Sequence, residues 1–322
     1  RPANMHLWLG SGARESLVVE DFAAYWRRLR SQLRELLDAP SSSNGTTPEP
    51  CDHCGFCEFA DKCDAQWREQ DSLIYVAGLR KADRKVLEES GVSTLAVLAD
   101  HGGAVEGLSA DRLTRVRKQA GLQLSMRPDD GLKTPPHTVI PTGADPVWGQ
   151  GFATLPAPDD GDVFLDFEGH PFWKPERGLF FLFGLIERDS SGDWVYHSWR
   201  ADDEAEEGVA AGALIDYLAA RRQQFPGMHV YHYNHTERSS LEAMAAEHGV
   251  GEVVLADLID TGMFIDLYIA ARNAVQVGTE SYGLKHLERL TDYERGHEID
   301  KGAGAVLEYE RFMVTGAQDA ID

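Results

Sequence analysis

The sequence predicts an α/β fold for its C-terminal half, with the element order βββαβα. An apolar run that begins at Val163 indicates the first strand, and the turn signal Asp189-Ser190-Ser191-Gly192 separates the next two apolar runs. A long helical stretch then follows, with an acidic first turn and two arginines near its end, as the helix dipole favours. We predict strands at residues 163–167, 179–186, 194–199 and 228–233, one helix at residues 202–225 and a second helix that ends at residue 248.

The chain divides into four segments by composition and periodicity. We predict a cysteine-rich segment at residues 1–66, a small helical domain at 71–126, a linker at 127–160 and the α/β domain at 161–322. The first segment predicts a β-hairpin and then a helix whose apolar stripe packs on it. The chain starts without methionine and its last residues do not close a domain, so we expect it to be a piece of a longer protein.

The charge of the chain is strongly negative but unevenly distributed. The formal net charge of −22 argues against nonspecific binding of polyanions by the protein as a whole. Residues 71–134, however, carry ten Lys and Arg against nine Asp and Glu, so a nucleic acid would be expected to contact this segment. There is neither a long apolar run nor a signal peptide, so we expect no membrane association.

Two carboxylates lie two residues apart in the first predicted strand. Side chains at i and i+2 project from the same face of a strand, so Asp166 and Glu168 should point together while Val163, Leu165 and Phe167 pack behind them. Carboxylates held so close favour a hard cation between them, such as Mg²⁺ or Mn²⁺. The alternative is a strand with a solvated acidic edge.

All four cysteines lie within thirteen residues, in the spacing C-x₂-C-x₂-C-x₅-C. Such clustering indicates a metal site and a reducing, cytoplasmic setting, in preference to a disulfide framework. Three close cysteines with a fourth further on favour a 4Fe–4S cluster, with Zn²⁺ as the alternative. A third interpretation is that the cysteines are merely buried and reduced. The predicted ligands are Cys51, Cys54, Cys57 and Cys63.

Two stretches of the helical segment resemble helix-hairpin-helix modules, namely Val76-Ala77-Gly78-Leu79 and Gly91-Val92-Ser93-Thr94-Leu95. In such modules, backbone amides in the turns and at helix N-termini contact nucleic-acid phosphates without reading sequence. A small helical spacer would explain the same pattern.

The N-terminal segment resembles the C-terminal end of RecB-type nucleases that carry an iron–sulfur cluster. The resemblance rests on the predicted hairpin, the helix that begins Phe22-Ala23-Ala24-Tyr25-Trp26, and the cysteines from Cys54 to Cys63. It implies that residues 1–66 are the remnant of a restriction-endonuclease-like domain. The PD-(D/E)XK catalytic residues of that family are not found in this sequence, so we assign this segment no catalysis.

The α/β domain resembles RNase H-like exonucleases of the DEDD type, and most closely the YprB-type domain found behind RecB-type modules. The first motif is Phe164-Leu165-Asp166-Phe167-Glu168-Gly169-His170-Pro171-Phe172. The second has Glu237 after the pair Tyr233-Asn234 and four residues before Leu241. The resemblance implies that Glu237 is a metal ligand and that Asn234 orients this carboxylate or a phosphate.

Two further landmarks of this family match downstream. Asp266 resembles the acid at the strand end after the second motif, and Lys285, in the run Ser281-Tyr282-Gly283-Leu284-Lys285, would be placed to contact phosphate. The alternative for this run is an ordinary amphipathic helix. The final Tyr-Asn-x-x-Asp motif is absent from the sequence, and we expect it shortly beyond Asp322. The same families often continue into a helicase, so a fused or associated helicase is an expected partner.

These resemblances imply a metal-dependent nuclease, specifically a 3′ to 5′ exonuclease that acts on DNA in repair, with RNA left open as the substrate. Two Mg²⁺ or Mn²⁺ ions would be held by Asp166, Glu168 and Glu237 together with the Asp of the missing final motif, and Asp266 would be an auxiliary catalytic residue. Because that motif is absent, we expect the metal site of these 322 residues to be incomplete, and an inactive fragment is one outcome of this interpretation. The alternative is a catalytically inactive nucleic-acid-binding or scaffolding module of a repair complex.

Overall fold

A computed structural model describes residues 2–9, 12–38, 48–126, 134–142, 151–174, 177–293 and 302–316. The chain forms two compact units. The first comprises residues 1–63 and 171–178, and the second comprises residues 64–170 and 179–322. Among the described residues, no helix is long and apolar enough to cross a membrane.

The first unit begins with the predicted hairpin. Strands β1 (Asn4–Trp8) and β2 (Arg14–Val18) pair antiparallel, and helix α1 (Ala23–Asp38) follows. We expected the apolar stripe of α1 to pack on the hairpin. Instead, α1 has no buried residue, and Trp26, Leu33 and Leu37 remain exposed. The cysteines lie around a short 3-10 helix (Asp52–Phe56) and at the start of α2 (Ala60–Glu69).

The second unit starts with a helical layer. Helices α3 (Lys81–Glu89), α4 (Leu95–Asp100) and α5 (Ala110–Ser125) enclose a small core. Helix α4 starts where Thr94 Oγ1 accepts a hydrogen bond from the amide of Val97 at 3.1 Å. The turn between α3 and α4 contains Gly91 with φ of +81°, a conformation that glycine adopts without strain. The fully buried core side chains include Leu73, Leu87, Leu98 and Ala120.

The predicted linker contains some regular structure. The described part includes the short strand β3 (His137–Val139) and a 3-10 helix (Gly151–Thr154). Residues 127–133 and 143–150 lie outside the described residues.

The remaining described elements follow in chain order, and of these only residues 171–174 of β4 and 177–178 of β5 belong to the first unit. They are β4 (Val163–Lys174), β5 (Arg177–Arg188), β6 (Trp194–Arg200), α6 (Glu204–Gln224), β7 (Val230–His232), α7 (Thr236–His248), α8 (Glu252–Asp260), β8 (Phe264–Asp266), α9 (Leu267–Ala274), β9 (Val275–Val277), α10 (Leu284–Leu287) and α11 (Gly302–Thr315).

A mixed five-stranded sheet forms the centre of this unit, in the order β6-β5-β4-β7-β8. Strands β5 and β6 are antiparallel, whereas β7 runs parallel to both β4 and β8. The succession β4, β5, β6, α6, β7, α7 is the predicted βββαβα order. One face of the sheet is covered by α6, α7 and α8, whose apolar side chains pack against Val163, Leu165 and Phe167 of β4.

Hydrogen bonds between α5 and β9 connect the helical layer to the C-terminal part of the second unit. Gln119 Nε2 of α5 donates to the carbonyl oxygen of Val277 at 2.7 Å, and Gln276 Nε2 donates to the carbonyl oxygen of Arg115 at 2.8 Å. A Cβ atom at Gly278 would lie 2.6 Å from the carbonyl oxygen of Leu122, so a glycine is needed for this close approach. Strand β3 pairs antiparallel with the same strand β9, so this part of the predicted linker joins the contact.

Candidate functional site

Strand β4 places Asp166 and Glu168 on the face of the sheet opposite the helix-covered core. Val163, Leu165 and Phe167 are buried, whereas Asp166 is exposed and Glu168 is half-buried. The alternation follows from the two-residue period of a strand, because the core takes every second side chain. The two carboxylates therefore project together beside Phe164, as the sequence predicted.

The pKa values of Asp166 and Glu168 are each raised by burial and then by the charge of a neighbouring carboxylate. Desolvation by the surrounding cavity walls and the nearby carboxylate of Glu237 raise the pKa of Asp166 above its ordinary value, despite the solvent exposure of this side chain. Partial burial and the charge of Asp166 likewise raise the pKa of Glu168. The direction of both shifts means that ionisation is opposed where no cation lies between these groups.

Glu237 lies in the first turn of α7, immediately after β7. Its side chain is buried, and among the described residues Oε2 has no hydrogen-bond partner. Nδ1 of the buried His232 lies 3.7 Å from this oxygen but makes its short contact, at 2.5 Å, with the carbonyl oxygen of Asn234. A buried carboxylate oxygen without a partner is costly unless a ligand satisfies it.

Asn234 and Asp266 together shape the turn that delivers Glu237. Asn234 has φ of +77°, and its amide donates to Asp266 Oδ1 at 3.0 Å. The same oxygen also caps α9, since it accepts from the amides of Tyr268 and Ile269. The Asn234 side chain accepts from Nδ1 of His235 at 2.9 Å. Both side chains are therefore engaged within the protein, and each holds local backbone geometry.

A cavity of about 460 Å³ opens beside the two β4 carboxylates and is lined mostly by apolar and aromatic side chains. Phe164 forms part of its wall and stacks on Tyr231 with ring centroids 5.3 Å apart. Asp266 lines a separate cavity of about 380 Å³, and His232 borders both. The structure therefore associates Asp166, Glu168 and Glu237 with one another, and places Asp266 in a neighbouring cavity.

Tyr196 of β6 is a site residue that sequence reasoning missed. It lines the same cavity, and its pKa is raised by burial and then by the charges of Asp166 and Glu168, so its hydroxyl keeps its proton. A Cβ at Gly184 would lie 2.9 Å from the Tyr196 hydroxyl oxygen, so this glycine makes room for it. The residues are brought together by the pairing of β5 with β6, which residue spacing along the chain does not reveal.

Lys285 is exposed near the start of α10, directly after Leu284, which lines the carboxylate cavity. No contact of Lys285 in the described part of the structure tests the phosphate-binding role that was predicted for it, so that role stays a prediction.

The four cysteines are reduced and lie in the first unit. The Sγ atoms of Cys51 and Cys54 are 4.0 Å apart, and the amide of Cys51 donates to Cys54 Sγ at 3.3 Å. Within the described part of the chain, no three His, Cys, Asp or Glu side chains form a group that could hold a metal ion, whether among the cysteines or among the carboxylates. The sequence prediction of an iron–sulfur cluster is thus not shown.

A family model described as RNase_H superfamily matches residues 163–322. The matched stretch begins at β4 and includes all five strands of the central sheet, so this part of the chain is similar to domains of the RNase H superfamily. Domains of this superfamily are typically nucleases that hydrolyse phosphodiester bonds, generally with divalent metals such as Mg²⁺. A nuclease-type function with a nucleic acid as substrate is therefore indicated. No curated protein and no solved structure matches the sequence.

The carboxylate site fits divalent cations in its donor chemistry. Mg²⁺ and Mn²⁺ prefer carboxylate oxygens, and the buried Oε2 of Glu237 has no hydrogen-bond partner among the described residues. Burial and then the neighbouring carboxylate raise the pKa values of Asp166 and Glu168, and a bound cation would oppose both shifts because it stabilises the ionised carboxylates. Ligand chemistry and charge thus agree with the metal use that is general for RNase H-like nucleases.

Proposed function

We propose that residues 163–322 form a metal-dependent 3′ to 5′ exonuclease that hydrolyses DNA, with two Mg²⁺ or Mn²⁺ ions held by Asp166, Glu168 and Glu237. The observation that carries this proposal is the buried Oε2 of Glu237, which has no hydrogen-bond partner among the described residues, together with the raised pKa of Asp166 beside Glu237 and of Glu168 beside Asp166. The polarity and the preference for DNA rest on the DEDD resemblance. A place in DNA repair is the setting that the resemblance implies.

The residues around the carboxylates would position the substrate strand. The aromatic wall formed by Phe164, Tyr231 and Tyr233 offers ring faces on which a nucleobase would stack. Tyr196 keeps its proton next to two carboxylates, so its hydroxyl would donate a hydrogen bond to a phosphate oxygen. Bound divalent ions would supply charge neutralisation and an activated water.

Asp266 would act in this scheme as a positioning residue. Its Oδ1 accepts the amide of Asn234 and two amides of α9, and this fixes the turn from which α7 and Glu237 begin. We therefore assign Asp266 to the geometry of the β7–α7 turn, and we assign metal ligation to the other three acids.

The test is hydrolysis of labelled single-stranded DNA by the full chain with Mn²⁺. A strand labelled at its 5′ end should give a ladder of shortened products, and a phosphorothioate block at the 3′ end should stop it. Asp166→Asn should lower the rate by at least about 100-fold, because a metal ligand is removed. Asp216→Asn, which removes an exposed carboxylate on α6, is the matched control and should leave the rate unchanged.

The alternative function, an inactive binding or scaffolding module, is one outcome of this experiment. If wild type binds the strand but degrades neither DNA nor RNA, or if Asp166→Asn degrades DNA as fast as wild type, the nuclease proposal is wrong. Degradation of RNA alone would keep the chemistry and change the substrate.

We also propose that Cys51, Cys54, Cys57 and Cys63 bind a metal centre, a 4Fe–4S cluster in preference to Zn²⁺. The preference for the cluster rests on the spacing of the cysteines in the sequence. The Sγ atoms of Cys51 and Cys54 are 4.0 Å apart, and two thiolates bound to one tetrahedral zinc stand about 3.8 Å apart, so this distance by itself fits zinc, the alternative. Anaerobically purified protein should be brown, with iron and sulfide in equal amounts. A colourless protein that contains stoichiometric zinc would show that the site binds zinc and no cluster. A protein without bound metal would refute both assignments.

A further inference from the structure

A third cavity, of about 300 Å³, lies within the second unit where the helical layer meets α9 and β9. Its lining is polar and carries four arginines, two from α5, one that precedes α3 and one from α9. None of the described residues that line it is acidic. The arginines are Arg80, Arg112, Arg115 and Arg272. In a chain with a net charge of −22, this concentration of positive charge has to be explained.

Arg112 has a structural role in the wall of the cavity, because its guanidinium is bonded to neighbouring protein groups. Arg112 donates from Nε and Nη2 to Asp83 Oδ2 at 2.9 and 2.7 Å, and Nη2 also reaches the carbonyl oxygen of Gly78 at 2.8 Å. Asp83 is therefore largely satisfied by Arg112. Arg80 lies 3.7 Å from the same carboxylate and its side chain is 75% exposed, so its charge is available at the rim.

The other two arginines have no anionic partner in the described part of the chain. Arg115 donates one N–H to the carbonyl oxygen of Arg272, and the guanidinium of Arg272 lies 5.4 Å from the ring of Tyr268. A guanidinium carries five N–H donors in a flat fork that matches the oxygens of a phosphate. Most of these donors remain available to a ligand.

The frame that holds these arginines is fixed. Gln119 and Gln276 bond across the junction to backbone carbonyls, and the hydroxyl of Tyr282 donates to Gln119 Oε1 at 3.2 Å or to the carbonyl oxygen of Val275 at 3.0 Å. Arg115 and Arg272 therefore approach each other from α5 and α9 before any ligand arrives. Preorganised donors lose less entropy when they bind.

We propose that this arginine pocket, formed by Arg80, Arg115 and Arg272 on the frame of Arg112, Gln119 and Gln276, binds a phosphate of a polynucleotide backbone. The site is separate from the carboxylate cavity, and binding there requires no hydrolysis. The choice of a polynucleotide over a small anion rests on the nuclease-type function of residues 163–322. The helical layer would then hold the strand while the sheet acts on it.

The test is the affinity of the full chain for a fluorescent single-stranded 20-mer, measured by anisotropy in EDTA over a series of salt concentrations. Arg272→Gln and Arg115→Gln should each weaken binding about tenfold. Each should also lower the slope of log K against log salt by about 0.7, the value for one phosphate of a single strand neutralised by one basic side chain. Arg80→Gln, at the exposed rim, should act in the same direction without affecting the fold.

Lys118→Gln removes an equal charge from the exposed surface of α5, outside the pocket, and should change the affinity less than twofold. Thermal unfolding of each variant shows whether it is folded. If all three arginine variants bind like Lys118→Gln, the pocket proposal is refuted. Inorganic phosphate is the second probe, and it should compete only at millimolar concentration. If it binds more tightly than the 20-mer, the pocket takes a free anion and the polynucleotide assignment is wrong.

Failure here is distinguishable from failure of the proposed nuclease. The carboxylate site is measured separately with Mn²⁺ and bis(p-nitrophenyl) phosphate, a substrate too small to span both sites. Arg272→Gln should hydrolyse it at the wild-type rate. Loss of oligonucleotide binding with normal hydrolysis of the small ester supports the pocket, whereas no hydrolysis by wild type refutes the nuclease and leaves the binding result standing.

Discussion

Nδ1 of His232 lies 3.7 Å from Oε2 of Glu237, and both side chains are buried, with 4% and 6% of their surfaces exposed. The ring nitrogen is committed to the carbonyl oxygen of Asn234, so it does not satisfy the carboxylate. Among the described residues, this buried oxygen is thereby left without a hydrogen-bond partner. The arrangement connects the geometry of the β7–α7 turn to the metal ligation that we propose for Glu237.

The first prediction concerns stabilisation by metal. A ligand that binds only the folded state at 100 times its dissociation constant stabilises that state by about 2.7 kcal/mol. Mn²⁺ at that excess should therefore raise the free energy of unfolding of wild type by this amount. Glu237→Gln should lose most of this increase, because glutamine keeps the shape of the side chain but removes the negative charge that would bind the metal. Chemical denaturation with Mn²⁺ and with EDTA measures the difference.

Asp216→Asn is the control for this experiment and should keep the full Mn²⁺ effect. An equal stabilisation of wild type and Glu237→Gln would show that Mn²⁺ binds elsewhere.

The second prediction is a loss of stability at high pH from a buried network on the other side of the sheet. Tyr217 of α6 donates to Glu187 of β5, which also pairs with Arg221 Nη1 at 2.7 Å. Burial and then the bond to Glu187 raise the pKa of Tyr217 to about 12. Because the folded state keeps this proton longer than the unfolded chain, the contribution is complete below pH ~10. It should be lost as the pH rises from there through about 12.

Comparison of wild type with Tyr217→Phe isolates this contribution, since other titrating groups act equally in both proteins. The difference in unfolding free energy between them should shrink over that pH range. The exposed Tyr293→Phe should run parallel to wild type. A constant difference between wild type and Tyr217→Phe would rule out the assigned pKa shift.

The third prediction concerns the junction between the helical layer and β9. Gly278→Ala would place a methyl group 2.6 Å from the carbonyl oxygen of Leu122, and backbone atoms cannot move aside cheaply. We expect a loss of roughly 1–3 kcal/mol in the free energy of unfolding. Gly102→Ala adds the same methyl group in open space and should change stability by less than about 0.5 kcal/mol. Equal stabilities of the two variants would contradict the close approach.

The elements that depend on local patterns could be predicted from the sequence. The two-residue alternation of β4 predicted that Asp166 and Glu168 share a face, and the order of the apolar runs predicted βββαβα. Exposure of the α1 stripe was not predicted, because periodicity indicates which side chains lie on one face and not what covers that face. The approach of Glu237 was implied only by a family resemblance, since it depends on the pairing of β7 with β4.

The residues that meet through tertiary packing could not be predicted. Arg80, Arg115 and Arg272 are far apart in the chain and come together only because α5 packs on β9. Asp266 was interpreted as an auxiliary catalytic acid from its place in a motif. A local signal for its actual contacts was nevertheless present, because an Asp directly before a helix is a preferred N-cap.

The fourth prediction separates two roles of Asn234. Its φ of +77° lies in the left-handed region, where glycine is unstrained and asparagine is tolerated better than alanine. Asn234→Ala should lower the free energy of unfolding by about 1 kcal/mol more than Asn234→Gly. The Gly variant should keep the turn, and with it the bond from the backbone amide to Asp266. If the side chain only shapes the turn, Asn234→Gly should hydrolyse DNA at near the wild-type rate. We expect this result, because Asn234 Oδ1 already accepts from His235.

A folded Asn234→Gly variant with strongly reduced hydrolysis would instead support the role in orienting phosphate that the sequence predicted.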